Sequence, residues 1–199
     1  DKPAGLLSCP GRGDDKLDSV QTRVPHLVPH AWGSLLGHRL DQATSGLLAI
    51  GLHPAAHRSL QQQFEARTVQ KRYEAVLVGE VNGEEGLIEL PQRLDVERRP
   101  LQIYDPLHGK MAITRWRLVE RTTTSAGVRS RVSFLPVTGR THQLRLASAH
   151  SRGLACPIAG DALYGDVSSA PRLLLHAEEL TLSHPRTSAP VTFRSPVPF

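Results

Sequence analysis

Cysteine is nearly absent: the 199 residues hold two, Cys9 and Cys156, far apart in the chain. Two such thiols build neither a disulfide scaffold nor a cysteine-based zinc site. Aromatic residues are scarce as well, with two Trp, three Tyr and four Phe. That argues against the wide stacking platform of a general single-strand binder. No apolar run approaches the ~20 residues of a membrane helix, and no secretory signal is read at the start. Neither a glycine-rich dinucleotide fingerprint nor a phosphate loop occurs. Ten histidines are present, none in a convincing metal spacing. His142 and His150 are eight apart, and His53 and His57 straddle a predicted helix start without a third ligand nearby. A cytoplasmic protein with no metal and no membrane partner is expected.

What the chain does contain is ordinary for a globular protein, with one bias. Apolar residues reach 39%, enough for a sizeable core at this length, and the length fits one domain. Lys and Arg number 24 against 19 Asp and Glu, so the formal charge is 24 − 19 = +5. That excess favours a polyanionic partner.

The pattern along the chain predicts a mixed α+β sheet rather than a doubly wound fold. Residues 1–36 read as loop-rich, and Leu47–Leu52 as a buried strand. Pro54 opens a helix as its first residue, with Ala56, Leu60 and Phe64 as its apolar stripe. Arg72–Gly79 reads as a strand, and residues 82–110 as turns with little periodicity. Residues 112–120 and 129–137 form a predicted hairpin around Thr122–Gly127. Thr141–Ser151 has helical spacing, and Leu173–Leu175 with Leu180–Leu182 suggest two closing strands.

Four segments hold candidate chemistry. In Gly37–Gly46, polar side chains crowd a turn before a buried run, and Asp41 is the only acid between Asp18 and Glu65. An isolated carboxylate beside Arg39 can stay ionised and act as a nucleophile. Taken alone, Asp41 or Thr44 reads more readily as a residue satisfying loop backbone groups. In Pro136–Arg145 a glycine turn leads into a helix whose start carries Arg140, His142 and Arg145. Such a start suits a phosphate or carboxylate, or is simply a solvated helix face. Tyr73 opens a strand as a core aromatic with a wet hydroxyl or as a stacking surface for a flat base. Asp161 in Ala159–Gly165 reads as a turn residue.

Together these segments resemble the RluA-type pseudouridine synthases. The likeness rests on His38-Arg39-Leu40-Asp41-Gln42-Ala43-Thr44-Ser45-Gly46, Lys71-Arg72-Tyr73, Thr138-Gly139-Arg140-Thr141-His142-Gln143-Leu144-Arg145, and Pro157–Asp161 with Tyr164-Gly165. Lys2–Leu7 and Leu173–Ala177 resemble the family's early and closing segments, so nearly the whole chain is covered.

The resemblance implies an RNA pseudouridine synthase, an isomerase that turns specific uridines of ribosomal or transfer RNA into pseudouridine without any cofactor. It implies a single catalytic domain over residues 1–199 with no S4-type domain, lacking the strand that usually precedes Lys2. The implied fold is a long, bent, mostly antiparallel mixed sheet flanked by helices and loops, with a central catalytic cleft. Asp41 matches the essential aspartate, acting as nucleophile or as base at the 2′ position. Tyr73 matches the tyrosine that stacks on the target base, and Arg145 the cation that pairs with the aspartate. Arg39 matches an arginine that fills the gap of a flipped nucleotide, and Leu144 would pack beside the uracil. His38, Arg140 and His142 complete the expected substrate contacts. Ala147 stands where many relatives carry His. The expected partner is a structured RNA stem-loop, and a monomer suffices. Two other readings compete: a non-catalytic RNA-binding module or chaperone, and a glycosidase or nucleosidase, which needs a second carboxylate that no matched motif supplies.

Overall fold

Ser19 starts the first helix by local chemistry. Its hydroxyl accepts the Thr22 N–H at 3.2 Å, and the Thr22 hydroxyl accepts the Ser19 N–H at 2.9 Å. This reciprocal cap opens α1 (Val20–Leu27), within a stretch that the prolines suggest is loop. Pro25 lies inside that helix.

The computed structural model describes residues 1–199, with eight strands and three α-helices in an α+β arrangement. The chain divides into two compact units, one of Asp1–Lys71 with Ala177–Pro198 and one of Arg72–His176 with Phe199.

The first unit holds α1, β1 (Ser45–Gly46), α2 (Pro54–Glu65), most of β7 (Leu175–Ser183) and β8 (Pro190–Arg194). Proline at the first turn of α2 fits because its missing N–H has no helical partner there. Its stripe works as expected: Leu60 is buried with Val69, Leu180 and Leu182, and Phe64 packs against them. A second cluster joins Val24, Ala31 and Leu35, with Ile50 and Leu52 against it. Leu47–Leu52 is not a regular strand. Only Ser45–Gly46 is, with a single bridge from Ile50 to Leu36. The apolar run is half-buried by packing rather than paired in a ladder.

The second unit places its strands in the order β2–β6–β5–β3–β4, each pair antiparallel. These are β2 (Gln70–Val78), β3 (Glu85–Leu94), β4 (Gln102–Tyr104), β5 (Lys110–Thr124) and β6 (Gly127–Pro136). The predicted hairpin is present with a tighter turn, Thr124 pairing with Gly127. Ala75 and Leu77 stand opposite Val132 and Ser130, all buried, and Phe134 is fully buried opposite Tyr73. Burying a phenylalanine of this kind is worth about 1.5–3 kcal/mol.

The turn-rich stretch 82–110 contains β3 and β4. Ile88, Leu90 and Gln92 alternate inward, but Pro91 conceals the pattern. A proline is tolerated because β4 pairs with β3 only at Gln92–Leu94. The predicted helix at 141–151 is α3 (Gln143–Ala149), and the two closing strands are one continuous β7 followed by β8. No helix is long and apolar enough to cross a membrane.

Candidate active site

The Asp41 loop is fastened on both sides of the aspartate by the N-terminal segment. Before it, the Ser8 hydroxyl donates to the Leu40 carbonyl at 2.7 Å and accepts the Leu40 N–H at 3.0 Å. After it, the Gln42 carbonyl accepts the Gly5 N–H at 2.8 Å, and Gly46 exchanges two backbone hydrogen bonds with Lys2. The Thr44 N–H donates to the Asp41 carbonyl at 3.1 Å, closing the turn. Gly46 has φ +109°, and a Cβ there would meet the Ala177 carbonyl oxygen at 2.3 Å, so this position requires glycine.

Lys2 also carries the charge of this site. It is buried, and its ammonium donates to the carbonyls of Leu6 at 2.7 Å, Pro3 at 3.0 Å and Gln42 at 3.0 Å. Burial pushes the ammonium down to about 8, while the Asp41 carboxylate acts in the opposite sense. A lysine in a matching motif carries no such message in sequence.

His38 is used inside the protein. Its ring stacks on Phe64 with centroids 4.1 Å apart, and Nε2 accepts the Ala49 N–H at 2.9 Å. Burial, with Lys71 beside it, drives its pKa down to about 3, so it is neutral at ordinary pH. Its contacts hold the loop rather than reach outward. Arg39 is exposed, its guanidinium 3.8 Å from the Cys9 sulfur.

The second unit holds the other predicted residues. Tyr73 is half-buried on β2, on the same face as Ala75 and Leu77. The turn Thr138–His142 is welded to β5 through Gln143. That side-chain amide accepts from the Thr138 hydroxyl at 2.8 Å and the Arg140 N–H at 2.9 Å, and donates to the Ile113 carbonyl at 3.0 Å and the Thr114 hydroxyl at 2.9 Å. His142 caps α3 in the left-handed conformation, φ +54°. The solvated helix face, one of the two readings of this start, does not form, since Gln143–Ser148 are all buried. Leu144 is buried among them, and Arg140 is half-buried with Nε on the Met111 carbonyl at 3.2 Å.

Arg145 is gripped by Asp161. Nε donates to one carboxylate oxygen at 2.9 Å and Nη2 to the other at 2.5 Å, and both side chains are buried. The same carboxylate accepts the N–H groups of Leu163 at 2.9 Å and Tyr164 at 3.2 Å. Burial alone would raise the Asp161 pKa. The Arg145 hydrogen bonds and charge, with those two N–H groups, outweigh it and hold the carboxyl below its usual range. The turn expected at Asp161 is therefore present, and it is also an ion-pair site. Tyr164 extends the network: its hydroxyl accepts the Gln102 N–H at 2.7 Å and shares a 2.9 Å hydrogen bond with His142 Nδ1, while Arg145 lies 5.4 Å from its ring centre. The result is a guanidinium fixed in place and orientation.

The first unit thus carries a carboxylate on a clamped loop, and the second carries a half-buried tyrosine on β2 and a fixed guanidinium on a buried helix. The family model for RNA pseudouridylate synthases matches residues 1–150, and the chain belongs to that family. It is an RNA pseudouridine synthase, an isomerase. Its full length is 42% identical to the dual-specificity RNA pseudouridine synthase RluA of Escherichia coli strain K12, covering 88% of that protein. It is 41% identical to RluA of Haemophilus influenzae, over 98% of this chain and 86% of that one. Among solved structures, human RNA pseudouridylate synthase domain containing 1 superposes with a TM-score of 0.79 at 30% identity, over all of this chain and 79% of the human one.

Proposed function

We propose that this synthase modifies particular uridines in stem-loops of ribosomal RNA, transfer RNA or both, and that Asp41 is its essential carboxylate. The observation that carries the assignment is the clamp on Asp41. Residues on both sides of it are hydrogen-bonded to Lys2, Gly5 and Ser8, and a buried ammonium supplies the neighbouring charge. A carboxylate so held is preorganised for one approach to a substrate. Relatives whose name is dual-specificity RNA pseudouridine synthase support the use of more than one RNA.

In the reaction the N1–C1′ glycosidic bond breaks, uracil turns, and C5 bonds to C1′. N1 gains a proton and C5 loses one, so the change is an isomerisation. Asp41 acts at the sugar, as a nucleophile on C1′ or as the base that takes the 2′ proton. Tyr73 stacks on the base and assists loss of the C5 proton. Arg145 supplies a fixed positive charge, oriented by Asp161. Leu144 contributes apolar packing, and His142 is a link in the Tyr164 network. Arg39 and Arg140 are the guanidinium groups for phosphates and for the gap that a flipped base leaves. His38 supports the loop from within. The same reading has the enzyme act as a monomer in the cytoplasm.

The test is carbodiimide mapping of pseudouridine in unmodified ribosomal and transfer RNA transcripts after incubation with purified protein. One or a few modified positions are expected, and their absence with the Asp41→Asn variant. An unchanged map with both RNAs would overturn the substrate assignment.

A further inference from the structure

Trp32 is 64% exposed, a costly place for the largest apolar side chain of a protein with two tryptophans. Its backbone is nonetheless held firmly. The Trp32 N–H donates to the Leu52 carbonyl at 3.1 Å, and the preceding Ala31 N–H donates to Val28 at 2.8 Å. Ala31 and Leu35 are buried with Val24, and Leu52 packs against them. Gly33 follows at φ +81°, turning the chain away. The indole is thus presented outward from an anchored loop, so little is lost in conformational entropy when something covers it.

Around the indole lies a hollow of about 560 Å³ whose lining includes His30, Leu52, His53 and Arg58 and no acidic residue. His53 Nδ1 accepts the Ala56 N–H at 3.3 Å, which leaves Nε2 to carry a proton and act as donor. His30, His53 and Arg58 are all exposed. An apolar partner segment would have to strip water from Arg58 and two imidazoles, which is unfavourable without polar partners. A nucleobase offers a flat face for the indole, polar edges for the imidazoles, and an adjoining phosphate for Arg58.

We propose that Trp32 and this hollow form a stacking subsite for one unpaired nucleobase of the RNA substrate, separate from the residues assigned to the chemistry. The subsite rests on RNA being the substrate. It supplies binding that is equal before and during reaction, so it acts on KM and not on kcat. A base–aromatic stack is worth about 1–3 kcal/mol by alanine substitution, or about 5- to 150-fold in affinity. One such site, rather than a platform, agrees with the small number of aromatic residues.

Intrinsic fluorescence tests this directly, because the other tryptophan, Trp116, is buried. A transfer RNA stem-loop transcript and the same stem closed as a full duplex are titrated into the whole protein. The stem-loop is expected to quench emission and the duplex is not. Trp32→Phe should keep affinity within a few-fold and lose the quench, since Phe also stacks. Trp32→Ala should raise KM about 5- to 150-fold with kcat retained, and Arg58→Ala should flatten the salt dependence of binding. A quench that survives in Trp32→Phe, or a saturated complex with no quench, would overturn the subsite while leaving the synthase assignment intact. Emission that changes with protein concentration alone would also overturn it, in favour of a second copy covering the indole. Absence of both RNA binding and modification would instead defeat the substrate reading itself.

Discussion

Asp161→Asn changes one oxygen for an amide and keeps the shape of the turn. Asparagine still offers Oδ1 to the N–H groups of Leu163 and Tyr164, but the two-point grip on Arg145 is lost. Removing one partner of a buried ion pair costs about 3–5 kcal/mol, because the remaining charge stays desolvated. The retained turn bonds place this variant near the lower end. A chain of this length shifts its melting temperature by about 2–4 °C per kcal/mol, so a fall of about 6–12 °C is expected. Differential scanning calorimetry reads it. The double variant Asp161→Asn with Arg145→Met removes both charges and should melt above Asp161→Asn alone. pH provides an independent readout. The folded Asp161 carboxyl lies below its unfolded value, so its contribution is complete above the usual carboxylate range near ~4 and fades as pH falls through it. That acid-limb loss should be smaller in Asp161→Asn. A melting point within about 2 °C of the parent, with no recovery in the double variant, would refute the reasoning.

Further outcomes follow from the two units. Asp41→Asn should abolish pseudouridine formation while RNA binding in a filter assay stays within a few-fold, and full turnover in that variant would end the assignment. Arg145→Ala should lose most activity, and Arg145→Lys should recover little, because a single ammonium cannot repeat the fork on Asp161; near-normal turnover of either would exclude the fixed charge. The folded His38 pKa is far below its unfolded value, so the unfolded chain takes the proton first. Stability should therefore decline as pH drops from about 6.5 toward 3, and His38→Gln should lessen that decline in urea titrations. RNA affinity should fall with salt at a slope of about 0.7–0.9 per phosphate contacted.

Several elements are legible in the sequence because local signals agree with the tertiary outcome. Pro54 and the stripe Ala56, Leu60 and Phe64 announce α2, and the alternation of Val132 and Phe134 announces β6. Other elements depend on distant partners. β3 is obscured by Pro91, which is harmless only because of where β4 stops. Leu47–Leu52 looks like a strand but is only half-buried, packed against α1 and α2 residues. The motif residues Asp41, Tyr73 and Arg145 could be singled out from sequence, yet their supports could not. Asp161 sits in a segment that reads as a simple turn, and its partner lies 16 residues earlier. Lys2 is separated from Gln42 by 40 residues. The resemblance places His38 among the substrate contacts, and its stacking on Phe64 and its bond from the Ala49 N–H could not be read from the sequence.

The order in which the chain is made gives the first unit an unusual history. Its two segments flank residues 72–176 of the second unit, so a ribosome delivers Asp41 before, and Ala177, Leu180 and Leu182 after, nearly all of that unit. Domains tend to fold as units during synthesis, earlier segments first. Here residues 72–176, all of the second unit but Phe199, are made while the earlier segment still lacks most of β7 and all of β8. Gly46 has no Ala177 to close against until then, and the Leu47 N–H, which donates to the Ala177 carbonyl at 2.9 Å, waits as well. The Asp41 loop thus matures only once Ala177 has been made, and a nascent chain stalled before that point would carry the aspartate without the architecture that gives it a direction.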